Sequence, residues 1–420
     1  MKSLHEYGDP VFFEGDPVDL ATAFERASEQ WAEKIGSESV FDVKTKDEGV
    51  TVKAKGVLGQ ITVQGHQLEI APKYIPDKDI GDWREAVFDI LRFSQSTQFG
   101  FTGPATGTFA KESFIDILAR GFLESLEPEL DKGSPTEYQR TTCQSETVEG
   151  KLIPDRLYPQ ILIDPTRVWV ESSQLTSNTI LGRSLRFATR RFAAMTSVPE
   201  LRGRLLELDK ILSDADPTAP SLSAINRYYL PPQYRPFADA FEIASWLIRE
   251  QGAGLGGATM SVEGLLLKSH SVYQSFVQRS LEQVAYKRNW TVEPEPTITV
   301  ARGPKNVPAF PDHVLKTEDL SVILDSKYKG STDIETGGKA AKSAPNASDV
   351  YQIVMAGRAM GAEDVALVYP AETPDDIWVV SGTGLPHRIR MITLDPIEFY
   401  HNREKFFNDL SDDLLQFSTE

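Results

Sequence analysis

Residues 309–330 read AFPDHVLKTEDLSVILDSKYKG, and this pattern is typical of a β-hairpin. The two arms, AFPDHVL and SVILDSKY, are rich in apolar residues, and the polar run 316–319 supplies the turn between them. Asp312 lies on the first arm. Asp325 and Lys327 lie on the second arm two positions apart, so a strand directs both side chains to the same face.

Two carboxylates and one ammonium on neighbouring strands suit a Mg²⁺-dependent phosphodiesterase. Carboxylate oxygens bind hard cations, and a cation held there polarises a phosphate and lowers the pKa of water. The ammonium of Lys327 adds a point charge beside the attacking water or the developing negative charge. An Asp-x-Lys pair is also common on a solvated strand face, so these three residues alone leave both interpretations open.

The elements predicted around the hairpin have a recognisable order. Apolar residues at helical spacing predict a helix over 264–288, and residues 290–300 then have the pattern of a strand. Beyond the hairpin, a helix is predicted over 348–360, with Asn346 or Ser348 as its cap, followed by an apolar strand at 363–369. The order of helix, three strands, helix and strand predicts an α+β domain.

This order and the charged triplet resemble the PD-(D/E)xK nucleases. Asp312, Asp325 and Lys327 match the three signature positions, and Gln352 lies on the following helix, where many of these enzymes place a glutamine. The resemblance implies that Asp312, Asp325 and the carbonyl of Ser326 hold Mg²⁺, or Mn²⁺ in its place. It also implies that Lys327 orients the attacking water and that Gln352 positions a phosphate or a water.

The chain is further similar to McrC, the cleavage subunit of the McrBC modified-cytosine restriction systems. The family traits in this sequence are Pro311-Asp312, the run Asp325-Ser326-Lys327-Tyr328 after a thirteen-residue step, Tyr351-Gln352, and an N-terminal signature over residues 56–74. Two positions depart from the family pattern. Gln274 stands where the family tends to have glutamate, and Ala356 stands where it often has tyrosine.

The McrC resemblance implies a partner and a division of labour. The partner is a McrB-like AAA+ GTPase hexamer that recognises cytosine-modified DNA and translocates it. An N-terminal mixed β/helical module, residues 1–212, docks on the motor and stimulates it. Residues 213–262 are a linker with a connecting helix, and residues 263–420 form the endonuclease domain.

Two rival functions stay open at this point. The first rival is a non-catalytic adaptor, which the departures at Gln274 and Ala356 favour. The second is a PD-(D/E)xK repair nuclease that works without a motor.

Composition narrows the remaining classes. The 420 residues carry 44 basic and 61 acidic side chains, a net charge of −17 that argues against non-specific wrapping of DNA. The segment 265–345 is the least acidic part of the chain, with eleven basic and nine acidic residues. A salt-rich cytoplasm explains an acidic surface as well as any partner does.

The remaining motifs exclude several site types. Cys143 is the single cysteine, so no disulfide within the chain and no CxxC site is possible. The glycine-rich run 252–257 follows a predicted helix rather than a strand, so a hinge is expected there instead of a dinucleotide site. The loop predicted around 330–347 carries Lys339 and Lys342; a solvated loop is their expected setting, and contact with a phosphate backbone is the alternative. The sequence has no signal-peptide pattern and no apolar run of eighteen residues, which predicts a soluble cytoplasmic protein with no membrane contact.

Four arginines cluster on a helix predicted over 178–195: Arg183, Arg186, Arg190 and Arg191. A solvated helix face is the commoner role for such a cluster, and a nucleic-acid patch is the alternative.

Overall fold

The computed structural model describes residues 1–74, 83–94, 113–251, 263–317, 320–328, 346–370, 377–384 and 386–417. The chain forms two compact units, one made of Met1–Thr97 together with Ser261–Glu420 and the other of Gln98–Met260. This division differs from the boundaries expected from the sequence, which kept residues 1–212 together. The expected hinge at 252–257 and the loop lysines Lys339 and Lys342 lie outside the described residues.

The first unit contains strands from both ends of the chain. They are β1 (Lys2–His5), β2 (Val11–Glu14), β3 (Phe41–Lys46), β4 (Gly49–Ala54), β5 (Val57–Val63), β6 (His66–Ala71), β10 (Glu263–Lys268), β11 (Thr291–Pro294), β12 (Ile298–Ala301), β13 (Val307–Ala309), β14 (His313–Lys316), β15 (Ser321–Ser326), β16 (Asp364–Tyr369), β17 (Ile377–Val379) and β18 (Arg388–Thr393). Its helices are α1 (Pro17–Ile35), α2 (Trp83–Ser94), α9 (Ser269–Arg288), α10 (Ala347–Met360), α11 (Pro396–His401) and α12 (Arg403–Leu415).

The second unit is largely helical. Its helices are α3 (Phe114–Leu130), α4 (Pro154–Ile163), α5 (Ile180–Met195), α6 (Pro199–Ile211), α7 (Leu222–Arg227) and α8 (Ala238–Gln251), with a 3₁₀ turn at Pro232–Phe237. Its three strands form one sheet in the order β7 (Glu137–Ser145), β9 (Val168–Thr176), β8 (Lys151–Leu152).

A six-stranded sheet, in the order β11-β14-β15-β16-β18-β17, is the centre of the first unit. Strands β14 and β15 pair antiparallel as the hairpin pattern predicts, whereas β15, β16 and β18 run parallel. Because side chains alternate along a strand, Leu315 and Leu324 pack with α9 while Val314 and Ile323 pack with α10. The two helices therefore cover opposite faces of the sheet, and the hairpin lies in its interior.

A second sheet of the first unit joins three N-terminal strands to β10, in the order β1-β6-β5-β10. The helix predicted over 264–288 is wrong at its start, because Glu263–Lys268 form β10 instead. Leu265 and Leu266 are instead buried against β5, and α9 begins at Ser269. Gly59 allows this pairing, since its φ is +125° and a Cβ there would lie 2.2 Å from the carbonyl oxygen of Leu265.

The single strand predicted at 290–300 is also wrong, because the chain forms β11 and β12 there. Pro294 and Pro296 flank Glu295, which has a φ of +44°. Proline cannot donate to a strand ladder, and the left-handed residue turns the chain away from the sheet. Strand β12 then pairs with β13 as a separate hairpin before the chain returns to β14.

In the second unit, two arginines of α5 hold residues 213–218, the start of the segment predicted to be a linker. Arg186 donates to the carboxylate of Asp209 at 2.9 Å and to the carbonyls of Ser213, at 2.7 Å, and Ala215. Arg183 donates to the carbonyl of Thr218 at 3.1 Å. These two arginines therefore pack within the unit rather than forming an open basic patch.

No helix in the described part of the chain is both long and apolar enough to cross a membrane.

Candidate active site

Asp312 stands directly before β14, and three donors hold its carboxylate. The amide of Ser326 donates to Oδ2 at 2.8 Å, and the Ser326 hydroxyl donates to the same oxygen. From α9, Nε2 of Gln274 donates to Oδ1 at 3.0 Å. The carboxylate is thus fixed by the neighbouring strand on one side and by a helix on the other.

Asp325, near the end of β15, is almost completely buried, with 3% of its surface exposed. Burial raises the pKa of its carboxyl, the ammonium of Lys327 lowers it, and the charges of Asp312 and Asp349 raise it again. The net result is a pKa above the ordinary range of an aspartate. Asp325 therefore lies in a crowded acidic region where an additional positive charge is favourable.

Lys327 connects the hairpin to α10. Its ammonium lies 2.5 Å from Oδ2 of Asp325 and 3.9 Å from Oδ1 of Asp349, and it donates to Oε1 of Gln352 at 3.2 Å. Its backbone amide donates to the carbonyl of Val368 on β16 at 2.8 Å, which anchors the chain beside the sheet. The residues singled out in the sequence, including Gln352, are therefore together in the folded chain.

Two further residues contact this site, and no signal in the sequence indicated their contacts. Asp349 is buried in the first turn of α10, close to the Lys327 ammonium. An acidic residue in a first helical turn is ordinary, because it interacts favourably with the helix dipole, so its sequence position gave no signal. Gln274 was noted only as a departure from a family pattern, yet it donates directly to Asp312.

The donor set fits a divalent cation with oxygen ligands. Asp312 and Asp325 provide two carboxylates, and the crowding of negative charge around the buried Asp325 is the condition that a cation relieves. Across the described residues, no cluster of three or more His, Cys, Asp or Glu side chains has the arrangement of a metal site. A cation here would therefore take two carboxylates, with water completing its shell, as Mg²⁺ commonly accepts.

The family assignment comes from the sequence as a whole. Residues 52–370 match the family model described as McrBC 5-methylcytosine restriction system component. The chain belongs to this family. The matched range includes the N-terminal signature and the whole hairpin, so the McrC resemblance drawn from the motifs is confirmed at the level of the McrBC family.

Solved structures give the same fold. A chain from the refined half-complex of a tetradecameric assembly of Thermococcus gammatolerans McrB AAA+ hexamers with bound McrC is 17% identical to this one. The similarity covers 99% of each chain with a TM-score of 0.66. At this identity the likeness supports the fold alone, and it confirms the mixed α+β class.

A second solved chain, from the cryo-EM structure of the Thermococcus gammatolerans McrBC complex, matches 67% of this chain and 87% of its own length. Its identity is 17% and its TM-score is 0.49. Comparison with curated protein sequences gives no match.

Proposed function

We propose that this chain is the DNA-cutting subunit of a McrBC-type restriction system, a Mg²⁺-dependent endonuclease of the PD-(D/E)xK class. The observation that carries the proposal is the convergence of Asp312, Asp325, Lys327 and Gln352 around one hairpin end. The order α9, β11, β14, β15, α10, β16, with the β12–β13 hairpin inserted, supports the class assignment.

Each side chain has a distinct task in this reaction. Asp312 and Asp325 hold the cation, which when bound supplies Lewis-acid charge to the phosphate. The ammonium of Lys327, placed between Asp325 and Gln352, orients the attacking water and offsets negative charge that develops on the phosphate. Gln352 is partly responsible for that placement, because its side-chain oxygen accepts from the ammonium.

The partner in this proposal is a McrB-like AAA+ GTPase hexamer, which delivers cytosine-modified DNA. The fold shared with the chain from the McrB–McrC assembly supports this partner. The net charge of −17 fits a subunit that leaves most of the DNA holding to the motor.

An exposed apolar surface on the second unit supports docking on such a ring. On α4, beside the β7–β9 strands, Tyr158, Leu162 and Ile163 are each about four-fifths exposed, at 81%, 80% and 82%. Large exposed apolar patches mark interaction sites, and three such side chains on one short helix make α4 the place where we expect the ring to dock. Replacing Leu162 and Ile163 together by Asp should weaken binding to the ring and leave Mn²⁺ binding by the chain unchanged.

The test of the catalytic assignment uses two single variants. Asp325→Ala and Lys327→Ala should each abolish DNA cutting while binding the GTPase ring as tightly as the wild-type chain. Loss of ring binding in both variants would mean that these residues maintain the fold instead.

A non-catalytic adaptor is the second candidate, and Gln274 is the observation that favours it. Its amide donates to Asp312 at 3.0 Å, where a glutamate would offer a cation another oxygen. The two functions differ in metal binding. An adaptor would stimulate the GTPase ring without binding Mn²⁺ at Asp312 and Asp325, whereas a nuclease requires that site.

A further inference from the structure

A buried polar contact joins the start of the chain to the residue that follows Lys327. The hydroxyl of Tyr328 donates to Oε2 of Glu6 at 2.7 Å. Glu6 directly follows β1 and is 2% exposed. The bond spans 322 positions of sequence and reaches the immediate neighbour of the proposed catalytic lysine.

Glu6 is itself held firmly by β6 and the residues after it. Its backbone amide donates to the carbonyl of Ala71 at 2.9 Å, and its Oε2 also accepts from the amide of Lys73 at 3.3 Å. The ammonium of Lys73 lies 4.8 Å from the ring centre of Tyr328, close enough for a cation–π contact. Carboxylate and phenol are therefore fixed by the same short segment.

The ring of Tyr328 also packs against two other tyrosines. Tyr74 meets it edge-on with ring centres 5.3 Å apart, and Tyr273 of α9 lies 5.9 Å away. Tyr273 precedes Gln274, which donates to Asp312. The cluster thus includes the residue after the lysine and the residue before Gln274, the helix side chain that donates to Asp312.

Packing alone does not account for an acid at this position. Burial raises the pKa of Glu6 to about 7, although Tyr328, Lys73 and the hydroxyl of Ser269 all lower it. A buried acid with a raised pKa costs stability that an apolar side chain of similar volume would not cost. What the acid provides, and an apolar side chain would lack, is the acceptor for the Tyr328 hydroxyl.

We infer that Glu6 is a positioning residue for the nuclease reaction: by accepting the Tyr328 hydroxyl it fixes the backbone that carries Lys327. The amide of Lys327 is anchored on Val368, and the Tyr328–Glu6 bond anchors the next residue. Between these two points the ammonium is held against Asp325. The inference rests on the proposed nuclease function and assigns part of its geometry to the N-terminal sheet.

The experiment compares four variants of the full chain. Tyr328→Phe removes the donor, Glu6→Ala removes the acceptor, and Glu6→Gln keeps a neutral acceptor. Tyr400→Phe is the matched control, because the Tyr400 hydroxyl makes an equivalent bond to Glu85 in the same unit. Two quantities are measured: the single-turnover cleavage rate at saturating DNA with motor, GTP and Mg²⁺, and hydrogen exchange at the Lys327 amide without them.

Tyr328→Phe and Glu6→Ala should each lower the single-turnover rate by roughly 10- to 100-fold, the range expected when a catalytic group is misplaced. The DNA concentration for half-maximal rate should not change. The amide of Lys327 should exchange faster in both variants, and combining them should add nothing. Glu6→Gln should recover most of the rate, and Tyr400→Phe should match the wild type.

Three results would overturn the inference, and they separate it from the nuclease proposal. If Glu6→Ala and Tyr328→Phe cut DNA at the wild-type rate while Lys327→Ala is inactive, the nuclease proposal stands and Glu6 has no role in the reaction. Faster exchange spread evenly over the whole unit would make Glu6 a purely structural residue. If the wild-type chain cuts no DNA, the nuclease proposal fails. If, in addition, the Lys327 amide exchanges at the wild-type rate in Glu6→Ala and Tyr328→Phe, the positioning role is rejected as well.

Discussion

Replacing Glu6 by glutamine should stabilise the first unit, and more at pH 8 than at pH 5. Burial raises the pKa of Glu6 from its ordinary 4.5 to about 7. Between these two values the folded chain keeps a proton that the unfolded chain has lost, so wild-type stability falls as the pH rises. At about 1.4 kcal/mol per tenfold difference, the full cost above pH 7 is about 3–4 kcal/mol.

Glutamine cannot ionise, so Glu6→Gln avoids this pH-dependent cost. From pH 5 to pH 8 its stability relative to the wild type should grow by about 2–3 kcal/mol, or roughly 30- to 150-fold in an opening equilibrium. Hydrogen exchange of the slowest amides in β5 and β6 measures that equilibrium for this unit. Comparing the two proteins at each pH cancels the intrinsic pH dependence of exchange.

The control for this prediction is Glu14→Gln, which removes an exposed charge from β2 of the same unit. It should exchange like the wild type at both values of pH. An equal effect of Glu6→Gln at pH 5 and pH 8 would refute the reasoning, because it would mean that Glu6 does not titrate between them.

Three further predictions concern the metal site and the second unit. Asp325→Asn should abolish Mn²⁺ binding in calorimetry. Burial raises the pKa of Asp325, so acidification should weaken Mn²⁺ binding by the wild type at a higher pH than it would if the ligand were an ordinary aspartate. Gln274→Glu should tighten Mn²⁺ binding roughly tenfold, as expected for a residue beside a ligand. The control Gln278→Glu, one turn along α9, should bind Mn²⁺ like the wild type. Equal affinities of Gln274→Glu and the wild type would show that position 274 does not influence the cation. Arg186→Ala should destabilise the second unit by about 2–3 kcal/mol through the loss of its bonds to one carboxylate and two carbonyls. Urea denaturation checks this loss, and unchanged stability would mean that those bonds contribute nothing net.

Local sequence patterns were sufficient to predict the hairpin and its charged residues. Two apolar arms separated by a polar turn specify antiparallel pairing, and a spacing of two places Asp325 and Lys327 on one face. The hairpin and the shared face depend on short-range periodicity, which a sequence states directly. Gln352 was singled out by the family resemblance instead, and its side-chain oxygen accepts from Lys327 in the folded chain.

Long-range pairing was the main source of error. The run Leu265–Leu267 is apolar enough for a helix or a buried strand, and only its partner β5, some two hundred residues earlier, settles the choice. The same limit hid the contact of Glu6 with Tyr328. Asp349 was missed for a different reason, since an acidic first turn is common in helices that have no catalytic role.

Cleavage of plasmid DNA tests the central claim most directly. Cytosine-methylated and unmethylated plasmids are incubated with the chain and Mg²⁺, with and without the AAA+ motor and GTP, beside the Lys327→Ala variant. The account predicts cutting of methylated plasmid only, with motor and GTP present, and none by the variant. Stimulation of the motor's GTPase rate with no cutting in any combination would contradict the nuclease assignment and leave the adaptor.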